Sequence, residues 1–220
     1  MAYRFSAILV LLLSALAAKG AELEALSARA FERAVPDRGV VIFKVNWGRK
    51  WGCAHLDNAQ LTRLTFSKLP VDGSSPMLEV KPLSKLFVKD NYTPYAYIAE
   101  TGTYALVGFD VLAAKTQWNV GHIVGTKAEL FENDSPKGGT FTVGPNEVVY
   151  IGHFALDCNQ EAIPWRYYID SQDAFDSLVA GFRKAFPFAA SLPVKYRLFD
   201  TSMFGQAFSL PVGPSTPETQ

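Results

Sequence analysis

From Val40 onward the chain is cut into short runs of β-branched and aromatic residues separated by Gly, Pro, Asn and Asp. No single motif constrains the fold as much as this punctuation. Residues 39–47 (Gly-Val-Val-Ile-Phe-Lys-Val-Asn-Trp) read as a buried strand, followed by a polar turn at 48–50. Residues 61–66 and 77–80 are further strand candidates, with a turn-rich stretch at 70–76 between them. Residues 94–100 alternate through Tyr95, Tyr97 and Ala99, and 103–112 resume after Thr101-Gly102. Residues 139–143, the turn 144–146 and the long run 147–157 read as a hairpin. Short strands at 165–169 and 194–199 complete the set. Strands at this spacing predict a mainly β chain, a β-sandwich or barrel-like core.

Two helices interrupt the pattern. Residues 171–186 place Ser171 at a cap position, Asp173 and Asp176 in the first turns, and Arg183 and Lys184 in the last. Phe175, Leu178, Val179, Phe182 and Phe186 form one apolar face, so this helix should pack on the sandwich. Leu23, Leu26, Ala30 and Phe31 have helical spacing and predict a short N-terminal helix over 22–35, within an N-terminal segment of 21–38. Pro36 and Gly39 end it.

The first twenty residues carry an address. Arg4 precedes the apolar run 5–18, and small residues follow, which is the layout of a signal peptide. Cleavage is expected after Ala17 or Gly20, and no other run is long enough to cross a bilayer. The mature chain is expected to be exported, periplasmic or secreted. Taking Arg4 and Lys19 from the 21 basic residues leaves 19 against 21 acidic ones, which gives no electrostatic reason to bind nucleic acid. The domain proper spans 39–200, and the proline-rich tail, 201–220, should be disordered.

Two cysteines in an exported chain predict a Cys53–Cys158 disulfide. It would close a loop of about 105 residues, on the order of 4–5 kcal/mol in the chain-entropy model. The competing reading brings Cys53, His55, His153 and Cys158 together as a zinc site, or pairs a Cys53 thiol with an imidazole for nucleophilic chemistry. A five-residue offset in an extended strand sends His153 and Cys158 to opposite faces, which argues against it. His122 reads as a turn or surface residue. Gly-x-Ser-x-Gly, His-Glu-x-x-His, the P-loop and Gly-x-Gly-x-x-Gly do not occur, and no cofactor is expected. The aromatic cluster around Trp165-Arg166-Tyr167-Tyr168, with Tyr92, Tyr95 and Tyr97, could suit a carbohydrate or peptide ligand and is read instead as strand residues. Trp47, Arg49, Lys50 and Trp51 around Gly48 form a basic-aromatic tip, the expected contact loop.

Glu100-Thr101-Gly102-Thr103-Tyr104-Ala105-Leu106 and the run from Phe141-Thr142-Val143-Gly144 through Glu147-Val148-Val149-Tyr150-Ile151-Gly152 resemble two strands of exported bacterial β-sandwich proteins of the prealbumin-like, DUF2846 type. Phe186-Pro187 closes the helix as it does there, whereas Asn146 stands where glycine is usual and no lipobox cysteine is present. The resemblance implies a sandwich fold and an envelope address, and it carries over no catalytic residues. The expected function is that of a non-enzymatic exported binding or structural protein of the envelope. The alternatives are an inhibitor or immunity-type partner of another exported protein, and the metal-binding or enzymatic protein described above.

Overall fold

The computed structural model describes residues 23–33, 37–82 and 90–204; the expected signal peptide, 1–20, and residues 205–220 of the tail lie outside them. The strands, in chain order, are β1 (Glu24–Ala25), β2 (Arg38–Asn46), β3 (Lys50–Trp51), β4 (Asn58–Lys68), β5 (Met77–Val80), β6 (Tyr92–Glu100) and β7 (Gly102–Thr116). They continue as β8 (Asn119–Gly125), β9 (Phe131–Glu132), β10 (Ser135–Pro136), β11 (Thr140–Val143), β12 (Val148–Asp157), β13 (Ile163–Tyr167) and β14 (Val194–Tyr196). The helices are α1 (Ala28–Arg33), α2 (Lys127–Leu130) and α3 (Gln172–Ala185). The protein is mainly β.

One six-stranded sheet has the order β1-β6-β2-β12, with β13 and β14 sharing the far edge of β12. Its central pair is parallel, Val40 lying opposite Val148 and Ile42 opposite Tyr150. Both faces of this pair are covered, which is why β2 and β12 are nearly unbroken apolar runs. One face (Val41, Phe43, Val45, Val149, Ile151, Phe154) shares a single core with Leu61, Leu64, Phe66, Leu106, Val111 and Phe141 of the second sheet. The other face (Val40, Ile42, Ile98, Val148, Tyr150) packs against Phe175 and Phe182 of α3 and against Leu26 and Ala30. The second sheet is built on β4 and β7; β11 and β8 line the outer edge of β7, and β3 and β5 that of β4.

Helix α3 forms as its sequence predicts. The Ser171 hydroxyl accepts from the Ala174 N–H at 3.4 Å, and the chain leaves the helix at Phe186, just before Pro187. The N-terminal helix is shorter than the expected 22–35. Glu24–Ala25 pairs with Tyr97 and Ile98 instead, and Leu26 N–H donates to the Ala96 carbonyl at 2.9 Å. The helically spaced residues serve two places: Leu23 enters the inter-sheet core, whereas Leu26 and Ala30 enter the helix-side cluster. A short strand that occupies the edge of β6 thus outcompetes one more turn of helix.

The expected hairpin around 144–146 does not form. β11 pairs with β7, Phe141 opposite Tyr104, while β12 lies in the other sheet. Alternation specifies which face a residue points to, not which strand it pairs with. The turn is a crossing between sheets, held by Glu147 Oε1, which accepts from Gly144 N–H (2.7 Å) and Arg197 Nη1 (2.5 Å). Asn146, at φ 52°, supplies the left-handed residue and donates its N–H to the Arg38 carbonyl at 3.0 Å.

The Cys53–Cys158 disulfide is present. Cys53, in the loop between β3 and β4, is fully buried, and Cys158 directly follows β12, so the bond ties one sheet to the other. Of the tail expected to be disordered from 201, Thr201 and Phe204 are buried and the Phe204 carbonyl accepts from Arg166 N–H at 2.8 Å. The packed domain therefore runs past 200.

Candidate functional site

The face of the second sheet that turns away from the core is covered by no helix among the described residues. Its rungs follow from the register. Trp51 lies opposite Asn58, Asn58 opposite Ala114 and Ala114 opposite Val120. The next rung is Gln60, Leu112 and His122. Directly paired residues share a face, so both rungs point outward, opposite to core residues Ala59, Leu61, Val111 and Ala113. An extra residue, Thr62, bulges between Leu61 and Arg63; its hydroxyl donates to the Asp110 carbonyl at 3.0 Å, and Leu64 returns to the core.

Two indoles wall this face at one end. Trp51 is 73% exposed, with the Arg49 guanidinium 5.7 Å from its ring centroid. Trp118 is 88% exposed at the tip of the β7–β8 hairpin, where the Thr116 hydroxyl accepts from the N–H groups of Trp118 (3.2 Å) and Asn119 (3.1 Å) and fixes the turn. A cleft of about 680 Å³ lies between them, with Asp57, Asn58, Ala114 and Val120 also lining it. A second cleft, of about 520 Å³, adjoins it through Arg49 and Leu112 and is lined by Gln60, Arg63, Lys81, Asp110 and His122. Most charges there are already paired. Glu79 takes both Arg63 (3.7 Å) and Lys81 (2.5 Å), and the Lys81 hydrogen bond above all holds its carboxyl below the usual range. His122 Nδ1 lies 2.6 Å from Asp110 Oδ1.

The expected contact loop splits. Arg49 and Trp51 belong to the cleft. Lys50 is held at 2.6 Å by Asp90, whose carboxyl is kept low by the hydrogen bonds from Lys50 and Asn46. Trp47 is not a contact residue: it is 2% exposed, and its Nε1 donates to Tyr95 Oη at 2.8 Å. The reason is alternation, since Val41, Phe43, Val45 and Trp47 are successive inward positions running on from β2. Tyr95 and Tyr97 stack against Phe43 in the same core.

The cysteine–histidine constellation does not assemble. Both sulfurs are consumed by the disulfide, so neither zinc nor thiol–imidazole chemistry has a thiolate to use. His55 stands on an exposed turn. His153 is largely buried, with Tyr150 Oη 2.5 Å from its Nδ1 and the Tyr92 ring edge-on at 5.0 Å. Burial, then the nearby Lys44 charge, pushes the imidazole down to about 4, and burial pushes the Tyr150 hydroxyl far up. Burial thus favours a neutral phenol beside a neutral imidazole. No group of three or more His, Cys, Asp or Glu side chains among the described residues is arranged to hold a metal ion.

Sequence reasoning missed Trp118, Asn58 and Ala114; His122 is at the surface as expected, but on a strand, β8, rather than a turn. The glycines in Asn119-Val120-Gly121-His122-Ile123-Val124-Gly125 obscure β8, yet Val120, His122 and Val124 do alternate in it. Comparison with family models, with curated proteins and with solved structures gives no match for this chain.

Proposed function

We propose that the chain is an exported, non-enzymatic binding protein of the cell envelope, built as a β-sandwich with α3 packed on one sheet, and that it binds through the bare face of the other sheet. The observation that carries this reading is the pair of exposed indoles, Trp51 and Trp118, flanking one cleft. Large apolar side chains this exposed, on a framework made rigid by a disulfide and two sheets, are the usual mark of an interaction site. Three features support export: the signal-like leader, the Cys53–Cys158 bond, and the absence, among the described residues, of a helix long and apolar enough to cross a membrane. The resemblance to prealbumin-like exported proteins points the same way. The Cys53–Cys158 bond leaves neither sulfur as a nucleophile or zinc ligand, which favours a binding role over the thiol or zinc chemistry weighed above.

The test is co-sedimentation of the purified exported chain with washed envelope from its own host, comparing wild type with the W51A/W118A double variant. Wild type should pellet, and the double variant should stay in solution with an unchanged thermal midpoint. Equal pelleting of both would move the site elsewhere, and no pelleting of either would end the binding reading. Intact mass of the same preparation should show a chain starting at Ala18 or Ala21.

A further inference from the structure

We propose that the cleft between Trp51 and Trp118 holds a sugar ring of a glycan chain, with a carboxylate carried by the glycan set against Arg49. This rests on the bare face being the binding surface. The position of the cleft within the sheet already restricts the ligand. At this level β4 and β7 are paired on both edges: Asn58 has Trp51 on one side and Ala114 on the other, and Ala114 has Asn58 and Val120. A peptide recognised through its main chain needs a free strand edge, and the floor of the cleft has none. A ligand on this floor meets side chains, and unpaired main chain lies only at the rim, on the outer edges of β3 and β8.

Those side chains are two indoles, the Asn58 amide, the Asp57 carboxylate and the Arg49 guanidinium, over a floor kept low by Ala114. A pyranose matches this set. Its C–H face is flat and weakly positive, which suits the negative face of an indole, and its rim of hydroxyls both donates and accepts, which suits an amide and a carboxylate. Among the cations of the two clefts, Lys81 and Arg63 are committed to Glu79, and the neighbouring Lys50 is committed to Asp90. Arg49 has no carboxylate partner among the described residues and sits where the two clefts meet, over the Trp51 ring. An acidic group on the ligand has that one cation to meet, and Asp57 repels it from the rest of the cleft. A guanidinium opposite a carboxylate is a short, charge-assisted contact, so it separates an acidic glycan from a neutral one.

Isothermal titration of the full exported chain with three hexasaccharides tests this: a neutral glucan, an N-acetylglucosamine oligomer and an oligouronate. The oligouronate should bind saturably, and W51A and W118A should each weaken it about tenfold or more, whereas W51F and W118F retain most of the affinity. R49Q should bring the oligouronate down to the affinity of the neutral glucan and abolish its salt dependence. Saturable binding that ignores both Trp variants overturns the proposal, and so does equal affinity for the three probes. If envelope retention depends on Trp51 and Trp118 while no hexasaccharide binds, the glycan inference fails and the binding face stands. If retention is lost as well, both fail.

Discussion

The two sheets share one core and differ in what covers their backs. The β2–β12 sheet is buried on both faces, between the inter-sheet core and the α3 cluster. The β4–β7 sheet is buried on one face only and presents Asn58, Gln60, Arg63, Asp110, His122 and two indoles on the other. The first is therefore held from both sides. The second has a face on which residues can change without unfolding the chain, and that is where recognition can reside. The proposed contact residues sit on strands that are buried on one side only.

This contrast can be broken or sharpened by measurement. The largest effect is expected from C53A/C158A, which releases the bond between the sheets: about 4–5 kcal/mol in the chain-entropy model, read as a fall in denaturant midpoint. Next comes F182A, on the buried face of α3, which should cost about 3–5 kcal/mol in the same assay. A loss below about 1 kcal/mol would mean that α3 is an ornament and that the covered sheet stands without it.

The third effect is pH dependence. Folding keeps the His153 imidazole neutral down to about 4, whereas the unfolded chain takes up the proton below 6.5. The contribution is complete above pH 6.5 and is lost as the pH falls toward 4, by at most about 3 kcal/mol. H153Q should flatten stability against pH across that window; an unchanged slope would place the effect elsewhere. S171A should cost about 1 kcal/mol through the lost α3 cap, measured by thermal unfolding. The smallest effect belongs to the bare sheet: W118A and W51A should each lie within about 0.5 kcal/mol of wild type while ligand binding is lost. A large destabilisation by either would show that the indoles hold the fold and would undo the contrast.

The same contrast explains what could be read in the sequence. β2 and β12 stand out because burial on both faces leaves continuous apolar runs, and α3 stands out by its cap and its 3.6-residue period. Partners were harder. The flanks of 144–146 alternate as a hairpin would, yet Glu147 and Arg197 turn the chain into the other sheet, and Arg197 is fifty residues away. Two of these five site residues were legible: Arg49 and Trp51 lie beside a glycine turn, whereas Trp118, Asn58 and Ala114 join them only through long-range pairing. Trp47 was legible both as the end of the buried run 39–47 and, beside Gly48, as part of the exposed tip. Its neighbours two and four back, Val45 and Phe43, place it in the core.

The parallel pairing of β2 with β12 also governs the order in which the molecule can be completed. Val40 cannot find its partner until Val148 has been made, and Cys53 waits for Cys158 across 105 residues. The central ladder is among the last parts to close, and so much non-local pairing belongs to slow folding. Until it closes, β2 is an apolar strand with an open edge, the form in which chains associate with one another. A nascent chain stopped anywhere before Val148 lacks the parallel partner of β2, so residues 38–46 are the stretch whose exposure during synthesis matters most.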